Sequence, residues 1–284
     1  MMQRLTELIP IKLGSYQGDI VIRRWPVENP RGRVICLHGL CAVGADYVVL
    51  AEQLNAAGYE VICPDWMGHG SSTCFGKPDA YSSHSFTIAL AQIMAHYGQP
   101  ERTHLIGTSY GGIILFMFLI ASQLQVRSAV IIDIPLRWQP EVDGQGDVIR
   151  RLVMSDYANI EEAEAGLLAI RPSLLGFPER LRDYLNEARF FSYKERIRLR
   201  CDPAVLHSAA LASEIPFDFR AQVARLRMPT LFYYGEESRF QEPDLFSSLE
   251  QTQTHIRYMV ARDGGHPPSL STNHDVQPIV DFIK

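Results

Sequence analysis

The sequence predicts an α/β fold: a mainly parallel, doubly wound sheet of about eight strands with a helical insertion after the sixth. Three observations lead there. Short runs such as Val34-Ile35-Cys36-Leu37 are apolar without alternation, as strands buried on both faces must be. Stretches of helical periodicity fall between those runs. Glycine-rich turns follow the strand ends, where a sheet of this class opens its ligand crevice. With 284 residues, 46% of them apolar, the chain is long enough to bury the core that such a sheet needs.

In chain order, Leu8 to Leu13 and Asp19 to Trp25 alternate as an antiparallel pair across the turn-prone stretch Gly14 to Gly18, giving one edge of the sheet. Val34 to Leu37 is a buried strand that runs into His38-Gly39-Leu40. Helical periodicity covers Ala45 to Ala57 and stops at Gly58. A second buried strand, Glu60 to Pro64, leads into Asp65-Trp66-Met67-Gly68-His69-Gly70-Ser71, where Asp65, Gly68 and Gly70 are expected to build the turn. Ser83 is the expected cap of a helix reaching Tyr97, ended by Gly98 and Pro100. A strand ending at Leu105 and Ile106 precedes Gly107-Thr108-Ser109-Tyr110-Gly111, and an apolar helical run, Ile113 to Ile120, begins just beyond. Ser128 to Ile132 is another buried strand, closed by Asp133-Ile134-Pro135.

From Leu136 to Ile215 the pattern changes to helical spacing with no buried strand, and Trp138, Phe177, Phe190, Phe191 and Tyr193 add aromatic bulk. The chain therefore divides into a core of residues 1–135 and 216–284 and a helical lid of residues 136–215. Within the lid, the basic stretch Arg189 to Arg200 reads as a solvated face, with attraction for an acidic substrate as the alternative. Core architecture resumes with Phe217 to Leu226, the strand Thr230 to Tyr234, a helix over Pro243 to Glu250, the strand His255 to Val260 and a last helix from Asp275.

Composition excludes several classes of partner. A net charge of -5 and a pI near 6.0 leave no electrostatic footprint for nucleic acid or an anionic membrane. Met1 to Gly14 holds Arg4, Glu7 and Pro10 without a continuous apolar core, and no apolar run approaches the roughly 20 residues of a membrane span, so a cytoplasmic protein is expected. Five cysteines with no C-x-x-C, Cys36 and Cys63 among them inside apolar strands, predict free thiols rather than disulfides or a zinc site. Cys41 and Cys74 read as incidental thiols. No metal or organic cofactor is expected.

The stretch around Ser109 reads G-x-S-x-G between a strand and a helix. A serine on so tight a turn is forced into a strained backbone conformation that lifts its hydroxyl clear of the sheet, and Gly107 and Gly111 supply the room this requires. The helix behind it points unpaired N–H groups and a positive dipole end at the place where an oxyanion would form.

Four motifs, H-G-L at His38, D-W-M-G-H-G-S-S from Asp65, G-T-S-Y-G-G from Gly107 and G-G-H-P from Gly264, stand in the order and spacing of the α/β-hydrolase superfamily, which the chain resembles over nearly its whole length. The resemblance implies Ser109 as nucleophile, His266 on a late loop as its base, and the backbone N–H groups of Leu40 and Tyr110 as an oxyanion hole. It gives His38 a bracing role in the H-G turn and His69 a place in a turn motif. The acid departs from the commonest family pattern, because the third residue after Gly235 is Ser238 rather than aspartate. Some small esterases of the superfamily take their acid from the end of the preceding core strand. Asp133-Ile134-Pro135 together with Ser238-Arg239-Phe240 is similar to their pattern, which makes Asp133 the favoured acid. Glu237 is second, with Glu236 the other carboxylate on that loop.

The activity this implies is hydrolysis of a small-molecule carboxylic ester through an acyl-enzyme, by a monomer or homodimer, with Trp138, Met67 and Phe191 expected to bind substrate. A dehalogenase or epoxide hydrolase would require a carboxylate at Ser109. The alternatives are a thioester or lactone substrate, carbon–carbon bond cleavage in a vinylogous diketone, or a non-catalytic small-ligand binding protein on the same scaffold, for which the displaced acid is the argument.

Overall fold

The computed structural model describes residues 4–140, 153–262 and 264–284. Its strands are β1 (Leu5–Leu13), β2 (Tyr16–Trp25), β3 (Arg33–Leu37), β4 (Glu60–Pro64), β5 (Thr103–Thr108), β6 (Ser128–Ile132), β7 (Arg137–Trp138), β8 (Phe190–Tyr193), β9 (Arg196–Leu199), β10 (Phe217–Asp218), β11 (Thr230–Gly235) and β12 (Ile256–Ala261). Eight of them form one sheet in the order β1-β2-β4-β3-β5-β6-β11-β12. The β1–β2 and β2–β4 pairs are antiparallel and the remaining neighbours are parallel. The predicted mainly parallel, doubly wound α/β sheet is therefore observed, with the first hairpin longer than its alternation suggested and its turn reduced to Gly14-Ser15.

The absence of alternation in the central strands has a direct cause. Ile35, Leu37, Leu105, Ile131 and Phe232 face one apolar layer, covered by α2 (Ser83–Tyr97), α3 (Tyr110–Ser122) and the helix Pro243–Thr252. Val34, Cys36, Ile106, Val130 and Leu231 face the other, covered by α1 (Val48–Ala56) and the helix Asn273–Ile283. Every position thus finds an apolar layer, each full burial contributing roughly 1.5–3 kcal/mol. Two boundaries differ from expectation. The stretch from Ala45 opens as a 3-10 turn, Gly44–Tyr47, before α1 begins, and α2 is capped by Ser82, whose hydroxyl accepts the Ser85 N–H at 3.1 Å.

Between β6 and β11 the chain leaves the sheet and returns. The strands β7 and β10 pair antiparallel with Trp138 opposite Phe217, so departure and return share one neck. Residues 141–152 of this insertion lie outside the described residues. The helices Ile160–Ile170, Arg182–Arg189 and Pro203–Ser213 follow the predicted helical character. The β8–β9 hairpin corrects it. Its turn is Lys194-Glu195, with φ of 47° and 61°. A two-residue turn with both φ positive matches the twist of a hairpin and ordinarily selects Asn-Gly; lysine and glutamate carry no such signal. The basic stretch is accordingly no uniform solvated face. Arg189 is buried against Asp46, Arg198 pairs with Asp156, and the Arg200 guanidinium donates to the carbonyls of Glu187 and Phe190.

Candidate active site

The crevice opens where β3 lies between β4 and β5, the point at which strand order reverses and at which sheets of this class bind ligands. Ser109 follows β5 directly. Its backbone, at φ 51° and ψ -119°, lies in a region that non-glycine residues rarely adopt, a strain on the order of 1–3 kcal/mol that the surrounding packing must offset. That packing is glycine against backbone. A Cβ at Gly111 would fall on the carbonyl oxygens of Leu37 and His38, and one at Gly39 would stand 3.3 Å from the Ser109 Cβ. The H-G turn after β3 is thereby pressed against the serine.

His266, from the loop after β12, meets the serine. The Ser109 hydroxyl and His266 Nε2 are 3.1 Å apart. On the other side of the ring, Nδ1 is 3.0 Å from Asp133 Oδ1. A carboxylate facing Nδ1 assigns the ring proton to that nitrogen and leaves Nε2 as the acceptor of the serine proton. Asp133 has no exposed surface. The Ser238 hydroxyl donates to its Oδ1 at 2.5 Å and the Gly235 N–H to its Oδ2 at 3.1 Å. Ser238, standing where the commonest pattern has an acid, thus orients the Asp133 carboxylate that follows the neighbouring strand. Phe240, two residues on, lies edge-to-face on the His266 ring with centroids 4.8 Å apart. Glu237 is exposed, with its N–H on the Gly264 carbonyl.

Tyr110 opens α3, so its N–H is among those that a helix start leaves without an intrahelical partner. Leu40 sits in the turn held by Gly39, and His38 braces that turn. His38 Nδ1 is 2.8 Å from the Gly39 carbonyl, and Nε2 accepts the Trp66 N–H at 2.9 Å. Burial keeps this ring neutral, its pKa pushed down to about 4. His69 is buried too and pushed down to about 3, chiefly by burial and then by the neighbouring His38 ring. Asp65 builds its turn as expected: Arg23, the Gly44 N–H and the Ser71 N–H all bind its carboxylate, and Gly70 packs so tightly on it that a Cβ would collide.

The expected substrate residues fall in different places. Trp138 stands near the cluster, its ring 6.4 Å from that of Phe240, and its indole N–H donates to the Ser213 carbonyl. Met67 is fully buried in the core. Phe191 lies on the hairpin, with its ring partnered by Tyr193 and Arg200. Cys41, next to Leu40, brings its Sγ to 3.5 Å from that of Cys201 in the insertion, and all five cysteines are free thiols. Among the described residues, no group of three or more His, Cys, Asp or Glu side chains is arranged to hold a metal, and no helix is long and apolar enough to cross a membrane.

One charged group escaped sequence reasoning. Asp46, in the 3-10 turn after the H-G-L motif, receives Arg171 and Arg189 from the insertion. Those partners lie 125 and 143 residues away along the chain, and no local pattern announces them.

The sheet, the serine elbow and the histidine loop define a hydrolase scaffold, and comparison with known proteins agrees. Residues 32–271 match the family model described as the alpha/beta hydrolase fold, and the chain belongs to that family. It is 22% identical to Lipase 3 of Moraxella sp. (strain TA144) over 275 residues, 90% of this chain and 80% of that protein. An alpha/beta hydrolase from Novosphingobium aromaticivorans superposes with a TM-score of 0.78 at 21% identity, covering 100% of this chain and 99% of the other. The esterase RhEst1 from Rhodococcus sp. superposes with a TM-score of 0.68 at 21% identity, covering 100% and 98%.

Proposed function

We propose that this chain is a serine hydrolase of carboxylic esters in which Ser109, His266 and Asp133 form the catalytic triad. The observation that carries this reading is the continuous line of contacts from the Ser109 hydroxyl through both ring nitrogens of His266 to a buried Asp133 carboxylate. The esterase and lipase names borne by similar chains support it.

Ser109 Oγ attacks the ester carbonyl while His266 Nε2 takes the hydroxyl proton, general-base assistance typically worth about 10²–10⁴ in rate. The carbonyl oxygen, now negative, is held by the Leu40 and Tyr110 N–H groups, each such donor contributing about 2.7–4 kcal/mol to the transition state. The tetrahedral intermediate collapses, His266 returns the proton to the departing alcohol, and the acyl group stays on Ser109. Water then repeats the sequence, releasing the acid and restoring the serine. Asp133 holds the ring in place and stabilises its positive charge. The insertion of residues 136–215 acts as a lid on the core, with Trp138 at its neck beside Phe240 forming an apolar wall next to the base.

A panel of aryl ester, aryl thioester and vinylogous diketone, offered to wild type and to Ser109→Ala, tests the reading. Aryl ester turnover is expected, falling by about 10⁴-fold or more in the variant. Turnover of the diketone alone would transfer the site to carbon–carbon hydrolysis. A folded protein that turns over no acyl substrate would leave the binding-protein reading in its place.

A further inference from the structure

Beside the Ser109 cluster lies a cavity of about 40 Å³ whose wall includes Gly39, Thr108 and Pro267. Each is the immediate chain neighbour of a residue assigned to the reaction: Leu40, Ser109 and His266. A volume of that size suits about three water molecules or roughly a single carboxylate group. Arg171 and Asp46 line the same cavity.

The charges there do not balance. Asp46 is buried; Arg189 Nε donates to its Oδ1 at 2.8 Å, and Arg171 Nη1 reaches its Oδ2 at 3.4 Å. Two guanidinium groups on one carboxylate leave one positive charge in excess. His38 and Tyr47, the other titratable groups on the wall, do not offset it, because burial pushes the histidine pKa down and the tyrosine pKa up and so keeps both neutral. Hydrogen-bonding capacity is also left over on the wall, because the bond of Arg171 to Asp46 is long; Arg189, which stands behind Asp46 and off the wall, keeps a buried Nη2 without an acceptor in line. Arg171 is partly buried and shares a single carboxylate with a second guanidinium, so a further anion is favoured beside it, and the guanidinium fork fits a carboxylate in particular.

Building on the serine-hydrolase reading, we propose that the substrate is an ester bearing a free carboxylate, which seats in this cavity against Arg171, and that Arg171 sets the specificity of the reaction. Asp46 positions Arg171 and keeps the pair of guanidinium groups together. Because Arg171 belongs to the insertion while Gly39 and Thr108 belong to the core, the bound anion touches both.

The test compares a monoaryl glutarate with the aryl pentanoate of the same leaving group and chain length on wild type, Arg171→Gln and Arg171→Lys. Wild type is expected to favour the half-ester in kcat/KM by about tenfold or more, chiefly through KM, as one charged hydrogen bond sustains. Arg171→Gln is expected to abolish that preference and Arg171→Lys to recover part of it. No preference in wild type, an undiminished preference in Arg171→Gln, or a parallel loss on both esters would overturn the proposal and reduce the cluster to a tie between insertion and core. Titration calorimetry with free glutarate reads the subsite without turnover: wild type binds and Arg171→Gln does not, or the proposal fails. The serine-hydrolase reading fails separately, by the absence of turnover of either ester together with the absence of a fluorophosphonate adduct.

Discussion

Two strand ends in this molecule carry an aspartate with no exposed surface, and each carboxylate has three partners. Asp65, after β4, binds Arg23, the Gly44 N–H and the Ser71 N–H. Asp133, after β6, binds His266, the Ser238 hydroxyl and the Gly235 N–H. The difference lies in the cationic partner. Arg23 carries a permanent charge, so its pair is complete in the resting protein and fixes a turn. The His266 side chain is 35% exposed, reaches Ser109 with its other nitrogen, and becomes a cation only when it takes a proton. A buried carboxylate facing a permanent cation stabilises structure; one facing a titratable ring is, on the proposed mechanism, there to stabilise a charge that appears during the reaction.

The contrast can be broken most severely at Asp133. Asp133→Asn removes the charge and permits the wrong ring tautomer, so ester kcat is expected to fall about 10⁴-fold with the folded structure retained. Glu237→Gln should stay near wild type in the same assay; the reverse pattern would exchange the two acids. Asp65→Asn should do the opposite, costing about 3–5 kcal/mol in urea unfolding because Arg23 is left buried and unpaired, with turnover by the folded protein largely kept. A smaller effect sharpens the distinction from the side of the bases. Burial pushes His38 and His104 down to about 4 and His69 to about 3. The unfolded chain takes up protons as pH falls below about 6.5 while these folded rings do not. Stability is therefore full above that pH and declines as pH falls toward 4, by on the order of 1 kcal/mol per pH unit for each ring. Urea midpoints measured across that interval check the decline, and His104→Gln should make it shallower.

The same contrast explains what was legible in the sequence. The central strands were readable because both faces of each meet apolar layers, so that a run such as Val34 to Leu37 needs no polar position. The elbow was readable because its strain and close backbone contacts restrict Gly107 and Gly111 to glycine. Asp133 was favoured but shared its place with Glu237, since the discriminating fact, which carboxylate reaches the imidazole, depends on how β6, β11 and the late loop assemble. The β8–β9 hairpin was missed because Lys194-Glu195 adopts positive φ without the residues that advertise it. The Arg171–Asp46–Arg189 group was invisible for a related reason, its members being brought together only when the insertion folds onto the core.

The most direct measurement is the site and rate of reaction with a fluorophosphonate, followed by mass spectrometry on wild type, His266→Ala and Asp133→Asn. A serine made nucleophilic by the arrangement described predicts one adduct, on Ser109, absent in His266→Ala and formed far more slowly in Asp133→Asn. A folded wild-type protein that takes up no label, or takes it up at a residue other than Ser109, would contradict it.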